Sequence, residues 1–167
     1  GQSFDGLRIS TTSPKGRLDL VALKLTEASG GRNARDGAVI GAHGTITSSK
    51  RASVNLYGFY NHLDVVKTNQ VTLGARLVGS NAKWTYRLET SYQTGERTGQ
   101  DVAALMAGAR LGYQVHEKGR VTLWYDYLSG DDNATDGKLK VFDTLFGTNH
   151  KFYGLADLFL NIPAHTG

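Results

Sequence analysis

At 167 residues the chain has the length of one domain, and its net charge of +4 comes without the Lys/Arg runs that track a phosphate backbone, so no nucleic-acid partner is expected. No run of eighteen apolar residues occurs, which excludes a transmembrane helix; a transmembrane β-barrel stays open, because barrel strands hide their lipid face in alternation. Gly is high at 21, Pro low at 2, and cysteine absent, a usage that suits an oxidising bacterial envelope as well as chance.

In chain order, four strands are predicted at 3–11, 17–27, 38–47 and 52–63. The next three alternate strictly. Val71, Leu73, Ala75 and Leu77 oppose Thr72, Gly74 and Arg76. Trp84, Tyr86, Leu88 and Tyr92 oppose Thr85, Arg87, Glu89 and Ser91. From Ala103 to Val115 the odd positions are apolar or aromatic, against Gly108, Arg110, Gly112, Gln114 and His116. An eighth strand runs from Val121 to about Ser129, and no segment carries a helical stripe. The fold class is therefore all-β, with about eight antiparallel barrel strands over 1–129 and a long extracellular loop over 130–167 that leaves room for the start of a further strand. Because Gly1-Gln-Ser-Phe-Asp5 is already strand-like, either a leader has been removed or the chain is a piece of a longer one.

The connections 12–16, 48–51, 80–83 and 117–119 are short, whereas 28–37, 64–69, 97–101 and everything beyond 130 read as longer. Alternating short turns and long loops is the layout of an up-and-down outer-membrane barrel, with periplasmic turns and extracellular loops. A three-residue loop at Glu117-Lys-Gly119 would pair His116 with Arg120, Tyr113 with Leu123, and Arg110 with Asp126. The turn at 80–83 would set Arg76 across from Arg87.

Which face is wet decides the class. Aromatics gather near the strand ends of the apolar face (Trp84, Tyr86, Tyr92, Tyr113, Tyr125, Tyr127), as at a membrane interface. The opposite face is Gly-, Ser- and Thr-rich with sparse, large charges. Inverted in this way, the barrel puts Arg76, Arg87, Glu89, Arg110 and Asp126 along a pore, where Arg donors would attract anions and carboxylates. Opposed arginines repel, so Arg76 and Arg87 need an anion or Glu89 nearby.

The stretch Phe142-Asp-Thr-Leu-Phe-Gly-Thr-Asn-His-Lys-Phe-Tyr-Gly-Leu-Ala-Asp157 has no clean period and falls in the long loop after the eighth strand. Preceded by Ser129-Gly-Asp-Asp132, it resembles the signature of the alginate export family of outer-membrane proteins, and Gln2-Ser-Phe-Asp-Gly-Leu-Arg-Ile9 is similar to an earlier strand of that family. The resemblance implies a monomeric β-barrel in the bacterial outer membrane that passes an anionic polysaccharide, or a small acidic solute, through a positively lined pore. Family barrels have about 16–18 strands, and no terminal amphipathic strand closes on an aromatic here, so a portion of a larger barrel is expected.

Within the motif, Asp143, His150, Lys151 and Asp157 are the polar candidates. An acid/base or metal-ligand reading of His150 with Asp143 or Asp157 lacks a nucleophile and a ligand spacing, so no enzyme and no cofactor is expected. The loop is expected to fold into the mouth or anchor on its rim, with Lys151 near the substrate path, or else to cap it without contact. Competing readings are a soluble β-barrel that binds a small ligand and a structural outer-membrane protein without transport.

Overall fold

The computed structural model describes residues 5–26, 37–49, 51–64, 66–133 and 135–144. Their strands are β1 (Asp5–Ser13), β2 (Gly16–Thr26), β3 (Gly37–Ser49), β4 (Ala52–Leu63), β5 (Thr68–Ser80), β6 (Trp84–Arg97), β7 (Gln100–His116), β8 (Gly119–Leu128) and the short β9 (Lys138–Leu139). β1 to β8 pair in sequence order as one antiparallel meander, and β9 adds to β7 in parallel. The sheet is open: among the described residues β1 and β8 do not pair with each other.

The polarity of the sheet is inverted relative to a soluble domain. Strand alternation puts Leu7, Ile9, Leu20, Leu73, Leu88, Leu111, Leu123 and Tyr125 on one face, where Leu123 is 71% exposed and Leu7 62%. On the other face Gln70 and Gln93 are fully buried, at 0%. An exposed side chain of that size forgoes about 1.5–3 kcal/mol of burial, so a continuous row of them in water would be costly. Lipid removes the cost. No helix among the described residues is long and apolar enough to cross a membrane, while strands of nine (β1) to seventeen (β7) residues meet the length of about 9–11 that a tilted barrel strand needs. Trp84 packs on Tyr113 across β6 and β7 with ring centroids 4.5 Å apart, at the short-turn end of the apolar face.

Turn chemistry corrects the expected registers. Two of the misjudged registers slip by two residues. Asn81 Oδ1 accepts the amides of Lys83 and Trp84 at 3.0 and 2.8 Å, which makes a four-residue loop and pairs Ser80 with Thr85. Arg76 therefore opposes Glu89, not Arg87. At the other hairpin His116 pairs with Gly119 around a two-residue turn, and a bulge at Val115 brings Gln114 opposite Arg120. Tyr113 then opposes Val121 instead of Leu123, and Arg110 opposes Trp124 instead of Asp126. Because the side-chain period is two, a two-residue slip keeps every residue on its face. The connection expected to be longer at 97–101 is in fact tight: Thr98 (φ 55°) and Gly99 (φ 82°) form a primed two-residue turn between Arg97 and Gln100.

Glycine makes room on the polar face at one decisive place. A Cβ on Gly74 would lie 2.2 Å from Cζ of Tyr57, whose ring covers it from the neighbouring strand.

Candidate functional site

The polar parity of β5, β6 and β7 carries Arg76, Glu89, Arg87 and Arg110 side by side, with Arg76 opposite Glu89 and Arg87 directly opposite Arg110. Glu89 is the hub. Arg76 donates to its Oε1 at 2.8 Å, Arg87 donates to its Oε2, and the Tyr57 hydroxyl donates to Oε1 at 3.1 Å from β4. Tyr57 also meets Ser91 Oγ, so Glu89 is held from three strands. One carboxylate thus serves two guanidinium groups.

Arg110 has no ion pair among the described residues. Its guanidinium carbon sits 3.7 Å over the Trp124 ring, a cation–π contact worth about 0.5–2 kcal/mol. Its Nε is buried and finds no acceptor, as is also true of Arg76 Nε. The expected pair of Arg110 with Asp126 is not formed. Asp126 lies opposite Gly108, with Oδ1 only 2.8 Å from where a Cβ on that glycine would stand. Arg87, Glu89, Gly108, Arg110, Trp124 and Asp126 border one cleft with about 420 Å³ of empty space. The cleft itself is lined by two cations and two carboxylates, and Arg76 stands outside it on the far side of Glu89. Arg110, which no carboxylate pairs with among the described residues, is the group able to take an anion.

Of the motif residues, Asp143 is described and His150, Lys151 and Asp157 lie outside the described residues. Asp143 is drawn back onto the polar face. Its amide donates to Gln93 Oε1 at 2.8 Å, and Gln93 Nε2 donates to its carbonyl at 2.7 Å. Arg97 completes the clamp, with Nη1 on Asp143 Oδ2 at 3.0 Å and Nη2 on the Val141 carbonyl at 3.1 Å. Upstream, Ser129 Oγ accepts the Leu105 amide at 2.8 Å and donates to the Lys140 carbonyl at 2.6 Å. Residues 140–143 therefore run against the wall formed by β6 and β7 near the long-loop end.

Sequence reasoning passed over Tyr57, Gln93, Arg97 and Trp124. Strand parity would have found three of them: Gln93 and Arg97 continue the Arg87, Glu89, Ser91 series, and Trp124 lies between Thr122 and Asp126. It also missed a cluster on β1 and β2, where Arg8 and Arg17 both bind Asp19 at 2.9 Å and Ser10 donates to the same carboxylate. Among the described residues no group of three or more His, Asp or Glu is placed to hold a metal ion.

With this geometry in place, comparison with protein families gives a match to a model described as Alginate export over residues 1–161. Neither the curated proteins nor the solved structures give a match.

Proposed function

The chain belongs to the alginate export family, and from that premise we propose that it builds part of the wall of an outer-membrane channel that lets an anionic, alginate-like polysaccharide or a small acidic solute through. The family is one of outer-membrane β-barrel polysaccharide transport, not of catalysis. The sheet is the matching part of such a barrel, apolar toward lipid and polar toward the passage. What carries the reading at the level of residues is the trio Arg76, Arg87 and Arg110, set on adjacent strands around the single hub carboxylate of Glu89.

The logic is electrostatic. Glu89 keeps Arg76 and Arg87 fixed without matching their charge, and Arg110 faces Arg87 with only a ring beneath it. A passing carboxylate relieves that like-charge opposition and accepts forked donors. Because the fixed sites are partly neutralised, binding stays weak enough for release, as conduction requires. The apolar face disfavours a soluble ligand-binding barrel, whose outer surface would be polar. Protein that stayed monodisperse in plain buffer would return that alternative to the front.

The test is reversal-potential measurement across planar bilayers with the full-length protein. Replacing Arg76, Arg87 and Arg110 together by Gln should lower anion preference. An unchanged reversal potential removes the three arginines from the passage.

A further inference from the structure

The two mouths of the sheet differ in charge. Around the four connections that lead into β2, β4, β6 and β8, counting two strand residues on either side, the described cations are Lys15, Arg17, Arg51, Lys83, Lys118 and Arg120, against the single carboxylate Glu117. All six cations are exposed. Arg17 is engaged by Asp19 and Arg120 by Gln114; Lys15, Arg51, Lys83 and Lys118 have no ion pair among the described residues. At the opposite end carboxylates outnumber cations among the described residues, with Asp64, Glu96, Asp101, Asp131, Asp132 and Asp136 against Lys67, Arg97, Lys138 and Lys140, the last of which bridges Asp132 and Asp136.

Two open clefts coincide with the basic mouth. The larger, with about 950 Å³ of empty space, is bordered by Arg51, Arg87 and Arg110 and by the hydroxyls of Ser49, Ser53 and Thr85, with no carboxylate among its lining residues. The other, about 590 Å³, straddles the rim: Thr12, Arg17 and Thr45 border it on the polar side, Lys15 at the turn, and Leu18 and Ile46 on the apolar side, again without a carboxylate. Hydroxyls that exchange hydrogen bonds with a sugar thus stand beside cations that pair with its carboxylate. The larger cleft shares Arg87 and Arg110 with the inner one, so the basic surface runs from the rim to these two arginines before Glu89 and Asp126 add carboxylates.

We infer that the short-turn mouth is a capture vestibule for a carboxylated saccharide, and that the passage is electrostatically one-sided, basic where the chain is taken in and acidic where it leaves. This rests on the channel reading above. A cleft of one sign raises the local concentration of its counter-ion and the rate of encounter. The carboxylates at the far end discourage re-binding after passage. In the outer-membrane layout short turns face the periplasm, so the asymmetry favours outward movement.

The experiment uses the full-length protein in planar bilayers with a uronic-acid oligosaccharide added to one side at a time. Because these 167 residues contain no cysteine, Asn133→Cys with a membrane-impermeant thiol label reports which side carries the long loop. Blocking events should be about tenfold more frequent from the short-turn side. Lys15→Gln, Arg51→Gln, Lys83→Gln and Lys118→Gln together should remove the difference, as should 1 M salt, where the screening length falls to about 3 Å. Equal block from both sides in the unaltered channel, or an asymmetry untouched by the four substitutions, overturns the vestibule and leaves the channel standing. A pore that conducts potassium chloride but is blocked from neither side overturns the saccharide reading and the vestibule together.

Discussion

Gln93 and Asp143, fifty residues apart in the chain, exchange a pair of hydrogen bonds, the Gln93 side-chain amide matching the Asp143 backbone as another strand would. Since Gln93 is fully buried, its loss strands the Asp143 amide and carbonyl at a cost of about 1–3 kcal/mol. Gln93→Ala should therefore release residues 140–143 while the meander persists. Hydrogen exchange read by mass spectrometry should show lost protection at Asp143 with β3–β5 unchanged. Protection retained at Asp143 would mean that Arg97 and Ser129 hold the segment by themselves.

Gly74→Ala tests whether the Tyr57 ring needs the space beneath it. The added methyl would lie 2.2 Å from Cζ of Tyr57, so the ring must swing away and give up its bonds to Glu89 and Ser91. Overpacking of this kind costs about 1–3 kcal/mol. Thermal unfolding in detergent should show a lower midpoint for Gly74→Ala, and Tyr57→Ala in the same chain should recover part of it. A midpoint unaffected by the alanine would place the ring elsewhere.

How much of this was legible follows from the period of a strand. Parity alone sorts Arg76, Arg87, Glu89 and Arg110 onto one face and Trp84, Leu88 and Tyr113 onto the other, and it survives a wrong register because each slip was of two residues. What parity cannot give is who stands opposite whom. That depended on Asn81 shifting one four-residue turn along by a residue and on the bulge at Val115, both local side-chain and backbone events with no periodic trace. The return of Asp143 was hidden for a different reason. A side-chain amide that binds a backbone segment fifty residues away leaves no spacing rule to read.

The loop between β8 and the clamp responds to acid. Lys140 Nζ bridges Asp132 Oδ1 at 2.8 Å and Asp136 Oδ2 at 3.3 Å. The hydrogen bond from Lys140 holds the Asp132 carboxyl below its ordinary 3.8. Asp136 is lowered chiefly by the Lys138 amide, with Lys140 assisting. A depressed carboxylate contributes stability above its unfolded value and loses it as pH falls through the folded one, so the bridge is intact at neutral pH and weakens as pH drops below 3.8. Amide exchange over 131–140 should accelerate, relative to β3–β5, between pH 5 and pH 2 (about the range in which such carboxylates titrate). Lys140→Met should abolish that relative change; an identical profile in the variant would assign it to other groups.

Glu89→Gln separates charge from architecture at the hub. The substitution keeps an acceptor for Tyr57 and one arginine but removes the charge that Arg76 and Arg87 share. Two effects compete. Charge-assisted bonds of about 1.5–3 kcal/mol are weakened, which loosens both guanidinium groups, while the local field becomes more positive by one charge. With Arg76 34% and Arg87 30% exposed, solvent offsets much of the first effect and the field change dominates. Anion preference in bilayers should therefore rise, opposite in sign to the loss expected when the three arginines are neutralised, and the shift should shrink in 1 M salt as the screening length falls to about 3 Å. If Glu89→Gln lowers anion preference instead, the carboxylate acts mainly to aim Arg76 and Arg87, and orientation outweighs field at this wall.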